Sequence, residues 1–131
     1  MTTGERVAAA ALAIVGARFR LHGRDPATGL DCVGVVAVAL RAAGHVGPVP
    51  DGYRLHSGDA RRFAACWAGL MAADGAAVGD VLLCRAGAGQ VHLAVRAGAG
   101  IVHADAMLRR VVERPGAVPW PVLMAWRIGE S

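Results

Sequence analysis

The chain passes from loop to helix at the stretch Gly29-Leu30-Asp31-Cys32-Val33-Gly34. Asp31 stands where a helix N-cap belongs, and the following run is rich in Ala, Val and Leu through Ala43. Gly44 then ends the run, as glycine commonly does after a helix. The sequence therefore predicts an apolar helix with Cys32 in its first turn. The free N–H groups and positive potential of that turn favour a thiolate, so we expect a lowered pKa for Cys32.

Two further helices are predicted, one before this helix and one after it. Thr3 is expected to cap a first helix that runs to about Ala17, and a third helix is predicted from about Asp59 to Ala73. The segments 18–30 and 45–57 hold Gly and Pro at intervals and are predicted to be loops.

Beyond Gly79-Asp80 the apolar pattern changes from that of helices to that of strands. Five short β-rich segments follow, separated by turn residues: Val81–Cys84, Val91–Arg96, Gly100–Ala104, Leu108–Glu113 and Val122–Arg127. Helices followed by antiparallel strands make an α+β fold class. We therefore predict N-terminal helices packed on a curled five-stranded antiparallel sheet, in a single domain that spans residues 1–131.

The composition excludes several classes of protein. Hydrophobic residues make up 55% of the 131 residues and charged residues 18%, which excludes a disordered chain. The net charge of +4 comes from scattered arginines and favours anionic partners, whereas 5% aromatics and no basic stripe argue against nucleic acid. The apolar residues 7–16 are too few to span a bilayer, which needs about 20. Glu5 and the missing polar break before Arg18 argue against a cleaved signal, so we expect cytoplasmic synthesis without a signal peptide and no membrane insertion.

The three cysteines, Cys32, Cys66 and Cys84, form no C-x-x-C pair, so neither a zinc knuckle nor a disulfide framework is predicted. Cys66 falls in a predicted apolar helix and Cys84 in a predicted apolar strand, where cysteine behaves as a small buried hydrophobe. A buried structural thiol is also the commoner explanation for Cys32 taken alone. The case for catalysis therefore depends on two histidines further along the chain.

His92 and His103 lie on consecutive predicted strands. A hairpin centred on Ala97-Gly98 would place them directly opposite each other, and any loop of even length keeps them on one face. Buried imidazoles need hydrogen-bond partners, so such a pair is unusual as mere packing. We predict Cys32 as nucleophile, His92 as its base and His103 as the residue that orients His92. A metal site is the competing interpretation, with Asp105 as the nearest third ligand.

Three residues are candidates for contact with a substrate. Val33, followed by Gly34, allows the backbone to approach a bound carbonyl, with the N–H of Cys32 as an oxyanion donor. Asp31 flanks the nucleophile, and Tyr53 follows a loop rich in Gly and Pro. A half-buried loop tyrosine is as often structural, so both interpretations of Tyr53 stay open.

With these motifs in order, the chain resembles the NlpC-type family of papain-like cell-wall cysteine peptidases. The resemblance covers the chain from about Arg18 to the end, and it rests on four stretches: 29–34 (GLDCVG), 79–82 (GDVL), 91–95 (VHLAV) and 101–104 (IVHA). The chain departs from the family at Val33, where serine is common, and at Leu93, where glycine often stands.

The resemblance implies a papain-like fold and a peptidase that hydrolyses amide bonds in peptidoglycan stem peptides, typically next to D-glutamate, through a thioester and without a cofactor. The Asp-Cys-Val-Gly variant resembles the compact members encoded with phage tails and gene-transfer agents. That resemblance implies action at the cell wall with phage-tail proteins as partners. A papain-like amidase or acyltransferase shares the same cysteine and histidine roles, and a non-catalytic tail or adaptor module would use its cleft only to bind. Both alternatives stay open on the sequence.

Overall fold

The computed structural model describes residues 1–47, 67 and 69–129. Two helices and a short hairpin precede the main sheet: α1 (Thr3–Ala13), β1 (Arg24–Asp25), β2 (Gly29–Leu30) and α2 (Cys32–Ala42). None of the helices in these residues is long and apolar enough to cross a membrane.

Within the described residues the main sheet has six strands, all paired antiparallel, in the order β3-β8-β4-β5-β6-β7. The strands are β3 (Met71–Ala72), β4 (Val81–Gly87), β5 (Gln90–Arg96), β6 (Gly100–Asp105), β7 (Arg110–Pro115) and β8 (Val122–Arg127). The five predicted strands are therefore confirmed, one with the predicted boundaries and the others with boundaries that differ by at most three residues, and β3 makes a sixth. The α+β class is confirmed.

β5 separates two apolar clusters, because alternate residues of a strand point to opposite faces. Leu93 and Val95 belong to the larger cluster, together with Val7 of α1 and Leu40 of α2. Ala94 belongs to a smaller cluster on the other side of the sheet. The helices therefore cover one face of the sheet, and the second face carries a separate, smaller core.

The first helix has a different cap from the one predicted. The hydroxyl of Thr2, not Thr3, accepts the N–H of Glu5 at 3.0 Å, and the Glu5 carboxylate accepts the N–H of Thr2 at 3.1 Å. This reciprocal pair is a capping box, which satisfies two N–H groups where a lone cap satisfies one.

The first helix is also shorter than predicted, since it ends at Ala13 and not near Ala17. Gly16 adopts a positive φ of 97° and donates its N–H to the carbonyl of Val111 on β7. The chain therefore leaves the helix in order to join the sheet edge, a tertiary contact that the local apolar pattern does not encode.

The segment 18–30, predicted as a loop, contains the β1–β2 hairpin. Its turn forms at Asp25, whose carboxylate accepts the N–H of Ala27 and whose carbonyl accepts the N–H of Thr28. Asp-Pro steps favour such turns, so the turn residues were visible, but strands of two residues are too short to show an alternating pattern.

The third predicted helix, residues 59–73, is wrong at its C-terminal end. Met71 and Ala72 form β3, which pairs with Arg127 and Trp126 of β8. The rest of that prediction lies outside the described residues, apart from Trp67, which is buried, residues 69 and 70, and Ala73, which is not helical.

Asp80 ties the start of β4 to the end of β8. Its side chain is buried, and its two oxygens accept from Nε and Nη2 of Arg127, each at 2.9 Å. Its carboxylate also accepts the N–H of Ala77. The Gly79-Asp80 step therefore holds a half-buried ion pair that joins two central strands.

Candidate active site

Asp31 organises the start of α2. Its buried carboxylate accepts the N–H of Gly34 at 2.9 Å and the N–H of His22 at 2.8 Å, and it pairs with the guanidinium of Arg24 at 3.2 Å. The predicted N-cap is therefore confirmed, and the same side chain also fastens the preceding segment to the helix. This fixes the position of Cys32, the next residue.

Gly34 allows the helix to approach that preceding segment closely. A Cβ at this position would collide with the carbonyl oxygen of Gly23. The glycine in the Asp-Cys-Val-Gly stretch is therefore required by packing between α2 and the chain before β1.

The thiol of Cys32 is buried, with 1% of the residue exposed, and it meets several backbone N–H groups. It accepts from the N–H of Leu93 on β5 and from the N–H groups of Val33 and of Cys32 itself, and these bonds favour the thiolate. Burial outweighs them, and together with the charge of Asp31 it raises the pKa of Cys32 to about 12. The direction is opposite to the one expected from the helix N-terminus, because the site is desolvated as well as rich in donors.

His92 and His103 form a direct hydrogen bond, with Nε2 of His92 2.8 Å from Nδ1 of His103. The ring centroids are 5.0 Å apart and the ring planes stand at 88°. One nitrogen of the pair must carry the hydrogen, so the bond couples the tautomers of the two rings.

The hairpin that carries the pair has a different register from the predicted one. Val95 pairs with Val102 and Arg96 with Ile101, so the turn is centred one residue later than Ala97-Gly98. The two histidines are therefore diagonal neighbours and not directly opposite. They still share one face, because the shift preserves the alternation, and aromatic side chains reach across a diagonal.

Both imidazoles are held neutral. Burial, followed by the proximity of His103, lowers the pKa of His92 to about 4, while the negative charge of Asp105 opposes the shift. For His103, burial lowers the pKa, Arg114 acts in the same direction and Asp105 again opposes it. A neutral imidazole has the free lone pair that a base requires.

Cys32 approaches β5 at the residue that follows His92. The thiol accepts the N–H of Leu93, the residue directly after His92. The β5–β6 ladder runs only from Arg96–Ile101 to Val95–Val102, and α2 packs against both strands. The start of α2 therefore reaches β5 beyond the end of this ladder, beside the histidine.

Solved structures with a similar fold are NlpC and P60 domains. NlpC1 from Trichomonas vaginalis matches with a TM-score of 0.68 at 20% identity, over 98% of this chain and 45% of that one. The NlpC/p60 domain of the peptidoglycan hydrolase SagA gives 0.63 at 24% identity, over 94% and 97% of the two chains. The P60 domain of an antigen from M. avium subspecies paratuberculosis gives 0.62 at 21% identity, over 98% and 96%.

The fold is that of NlpC/P60 domains. No family model and no curated protein matches the sequence itself. The chain spans less than half of NlpC1 but nearly the whole of the SagA domain. The predicted papain-like architecture is thus confirmed at the level of the fold.

Trp120 is part of the site and was not predicted from the sequence. Its ring packs edge-on against both imidazoles, with centroid distances of 5.1 Å to His92 and 5.2 Å to His103. The signal was its place between Pro119 and Pro121, two residues that restrict the backbone just before β8.

The other candidate residues have different settings. Asp31 and Val33 are fully buried, and their contact with a substrate stays a prediction. Tyr53 and Cys66 lie outside the described residues. Cys84 is buried in the smaller cluster and lies directly across β4–β5 from His92, so it is a second thiol near the histidine pair.

Asp105, the proposed third metal ligand, has another use. Its carboxylate accepts the N–H groups of Met107 and Leu108, each at 2.9 Å, and so closes the turn between β6 and β7. Among the residues that the structure describes, no group of three His, Cys, Asp or Glu side chains is arranged to hold a metal ion.

Proposed function

We propose that this protein is a cysteine peptidase that hydrolyses amide bonds in peptidoglycan stem peptides through a thioester intermediate. Two observations support the proposal. The Cys32 thiol accepts the N–H of Leu93, the residue after His92, and His92 is hydrogen-bonded to His103 at 2.8 Å. Nucleophile, base and orienting group, in this order, are the parts that acyl transfer needs.

In the first half of the reaction, Sγ of Cys32 attacks the carbonyl carbon of the scissile amide while its proton passes to Nδ1 of His92. Nδ1 takes this role because Nε2 is bonded to His103. The N–H of Cys32 is the proposed donor to the oxyanion. The leaving amine then takes the proton from His92 as the C–N bond breaks, which leaves the acyl group on sulfur.

In the second half, water attacks the thioester and gives its proton to His92. The C–S bond breaks, the carboxylate product leaves, and the proton returns to Sγ. His103 keeps the same tautomer of His92 through both halves, which is why we assign it an orienting role.

The resting enzyme in this mechanism holds a neutral thiol and a neutral imidazole. The pKa values of about 12 for Cys32 and about 4 for His92 place the proton on sulfur at neutral pH. Proton transfer therefore accompanies the attack and does not precede it.

The substrate assignment draws on the fold and on charge. One structural neighbour is the NlpC/p60 domain of a peptidoglycan hydrolase. The net charge of +4 suits an anionic polymer. Stem peptides expose carboxylates beside their amide bonds, so they are the substrate class that we propose.

The test is digestion of purified peptidoglycan by the wild type and by Cys32→Ser, with Cys84→Ser as the matched control. We expect the wild type and Cys84→Ser to release fragments with new amino groups, identified by mass spectrometry, and Cys32→Ser to release none. Activity that survives in Cys32→Ser and disappears in Cys84→Ser would assign the nucleophile to the second thiol. Products formed only with an added amine acceptor would indicate an acyltransferase, and binding without products an adaptor module.

The proposal also includes assembly with a phage-tail or gene-transfer particle, supported by the resemblance of residues 31–34 to members of that kind. Purified particles should then contain the chain in a fixed ratio to a tail protein. If intact particles lack the chain, the proposed assembly is wrong, but the proposed peptidase activity is unaffected.

A further inference from the structure

The edge strand β7 carries two arginines on the face of the histidine pair. In the β6–β7 ladder His103 pairs with Val112, and paired residues share a face. Arg110 and Arg114 lie two residues to either side of Val112, so they share that face too, with Cα atoms about 7 Å from Val112 along the strand. β7 is the last strand in the order of the sheet, Arg18 forms an isolated bridge to Arg110 at its outer edge, and both β7 arginines are exposed.

These two guanidinium groups are not used within the described part of the chain. The ion pairs there join Arg24 to Asp31 and Arg127 to Asp74 and Asp80. Asp105 lies opposite Arg110 in the ladder, and Oδ1 of its carboxylate accepts the N–H groups of the β6–β7 turn. Arg110 and Arg114 are thus available for an external anion.

The positive charge of Arg114 already reaches the site, since it helps to lower the pKa of His103. Arg114 therefore lies on the same face as His103, near enough for its charge to act on that ring. The partly buried side chain of Val112 lies between the two arginines on this face. A ligand that binds both guanidinium groups would therefore also contact an apolar side chain between them.

We propose that Arg110 and Arg114 bind a free carboxylate of the stem peptide next to the scissile amide, and so select substrates that carry this group. The inference rests on the proposed function and adds a specificity site to it. The planar fork of a guanidinium matches the two oxygens of a carboxylate, which makes arginine suited to this recognition.

The experiment uses one stem peptide in two forms, with the carboxylate beside the scissile amide either free or converted to a carboxamide. We expect the wild type to prefer the free carboxylate. Arg110→Gln and Arg114→Gln should each lower kcat/KM for the carboxylate form by about fivefold and leave the carboxamide form nearly unchanged. Arg114→Lys should recover part of the loss, because charge remains but the fork is lost.

Arg85→Gln is the matched control. Arg85 is exposed on the same sheet, but it pairs with Val91, whose side chain belongs to the helix-side cluster. Loss of activity in Arg85→Gln equal to that in Arg114→Gln would show general attraction between charges and overturn the site. Equal losses on both peptides in the β7 variants would overturn it as well.

A binding measurement separates this inference from the peptidase itself. In Cys32→Ala, Kd for both peptides is measured by calorimetry with and without Arg114→Gln. If the wild type cleaves neither peptide, the proposed function fails, yet a carboxylate preference that disappears with Arg114→Gln still supports the site. Equal affinity for the two peptides, or no binding of either, overturns it.

Discussion

Cys32 and Cys84 are both buried thiols, but they lie on opposite faces of the sheet. Burial raises the pKa of each, to about 12 for Cys32 and about 11 for Cys84. The groups that lower the thiol pKa, against the effect of burial, differ between the two sites. Backbone N–H groups, including that of Leu93, favour the thiolate of Cys32, whereas the charge of Arg96 has this effect at Cys84.

Cys84 is also the thiol that lies directly across the ladder from His92. Neither burial nor the resting pKa nor the strand register therefore identifies the nucleophile. We propose Cys32 as the nucleophile because donors fixed at a helix start would stabilise negative charge on sulfur and on the oxyanion during attack. Substitutions on either face of the sheet can therefore test which thiol reacts.

Removal of the base should give the largest effect. His92→Ala is expected to lower kcat by about 10³-fold, since the thiol proton then has no acceptor. His103→Ala should cost less, about 10-fold to 100-fold, because it only orients the base. Steady-state kinetics on the stem peptide give both values.

Circular dichroism of both variants provides the control for folding. Full activity in His92→Ala would show that catalysis does not require His92 as a base and would contradict the mechanism. A loss in His103→Ala as large as that in His92→Ala would show that His103 exchanges protons and does more than orient.

Labelling by iodoacetamide tests the resting state of the two thiols, in a Cys66→Ser background. With pKa values of about 12 and about 11, both thiolates are scarce at neutral pH, and their fraction grows as the pH rises. Near pH ~8.5, Cys84 should react about 10²-fold and Cys32 about 10³-fold more slowly than free cysteine, because their thiolates are that much scarcer. Cys32 that reacts faster than free cysteine would reveal a preformed thiolate and imidazolium pair.

The sequence predicted the parts of the site that local patterns encode. Asp31 as N-cap, Cys32 at the start of α2, and His92 and His103 on one face all follow from residue type and alternation. The predicted register of the hairpin was wrong by one residue. Several small residues in succession, Ala97 to Gly100, can each occupy the turn, so the sequence does not determine where the turn is centred.

Tertiary effects were beyond the sequence. The pKa of Cys32 depends on burial under β5, and the early end of α1 depends on a hydrogen bond from Gly16 to Val111. β3 is too short to carry a pattern, so Met71 and Ala72 were assigned to a helix. Trp120 was missed because its two flanking prolines indicate a restricted backbone but not its contact with two histidines on other strands.

Trp120 should give the smallest effect, about fivefold in kcat for Trp120→Ala, in line with the energy of an aromatic contact. The ring shields the hydrogen bond between His92 and His103, so its removal lets water reach both imidazoles. Less burial raises their pKa values towards 6.5, from about 4 for His92. A higher pKa means protonation at higher pH, so the acid limb of kcat should move upwards while KM stays nearly constant. Trp120→Phe keeps an aromatic ring and should keep the wild-type profile. An acid limb unchanged in Trp120→Ala would show that the ring only fills the smaller core, and the pH profile is the measurement that separates this from a loss of stability.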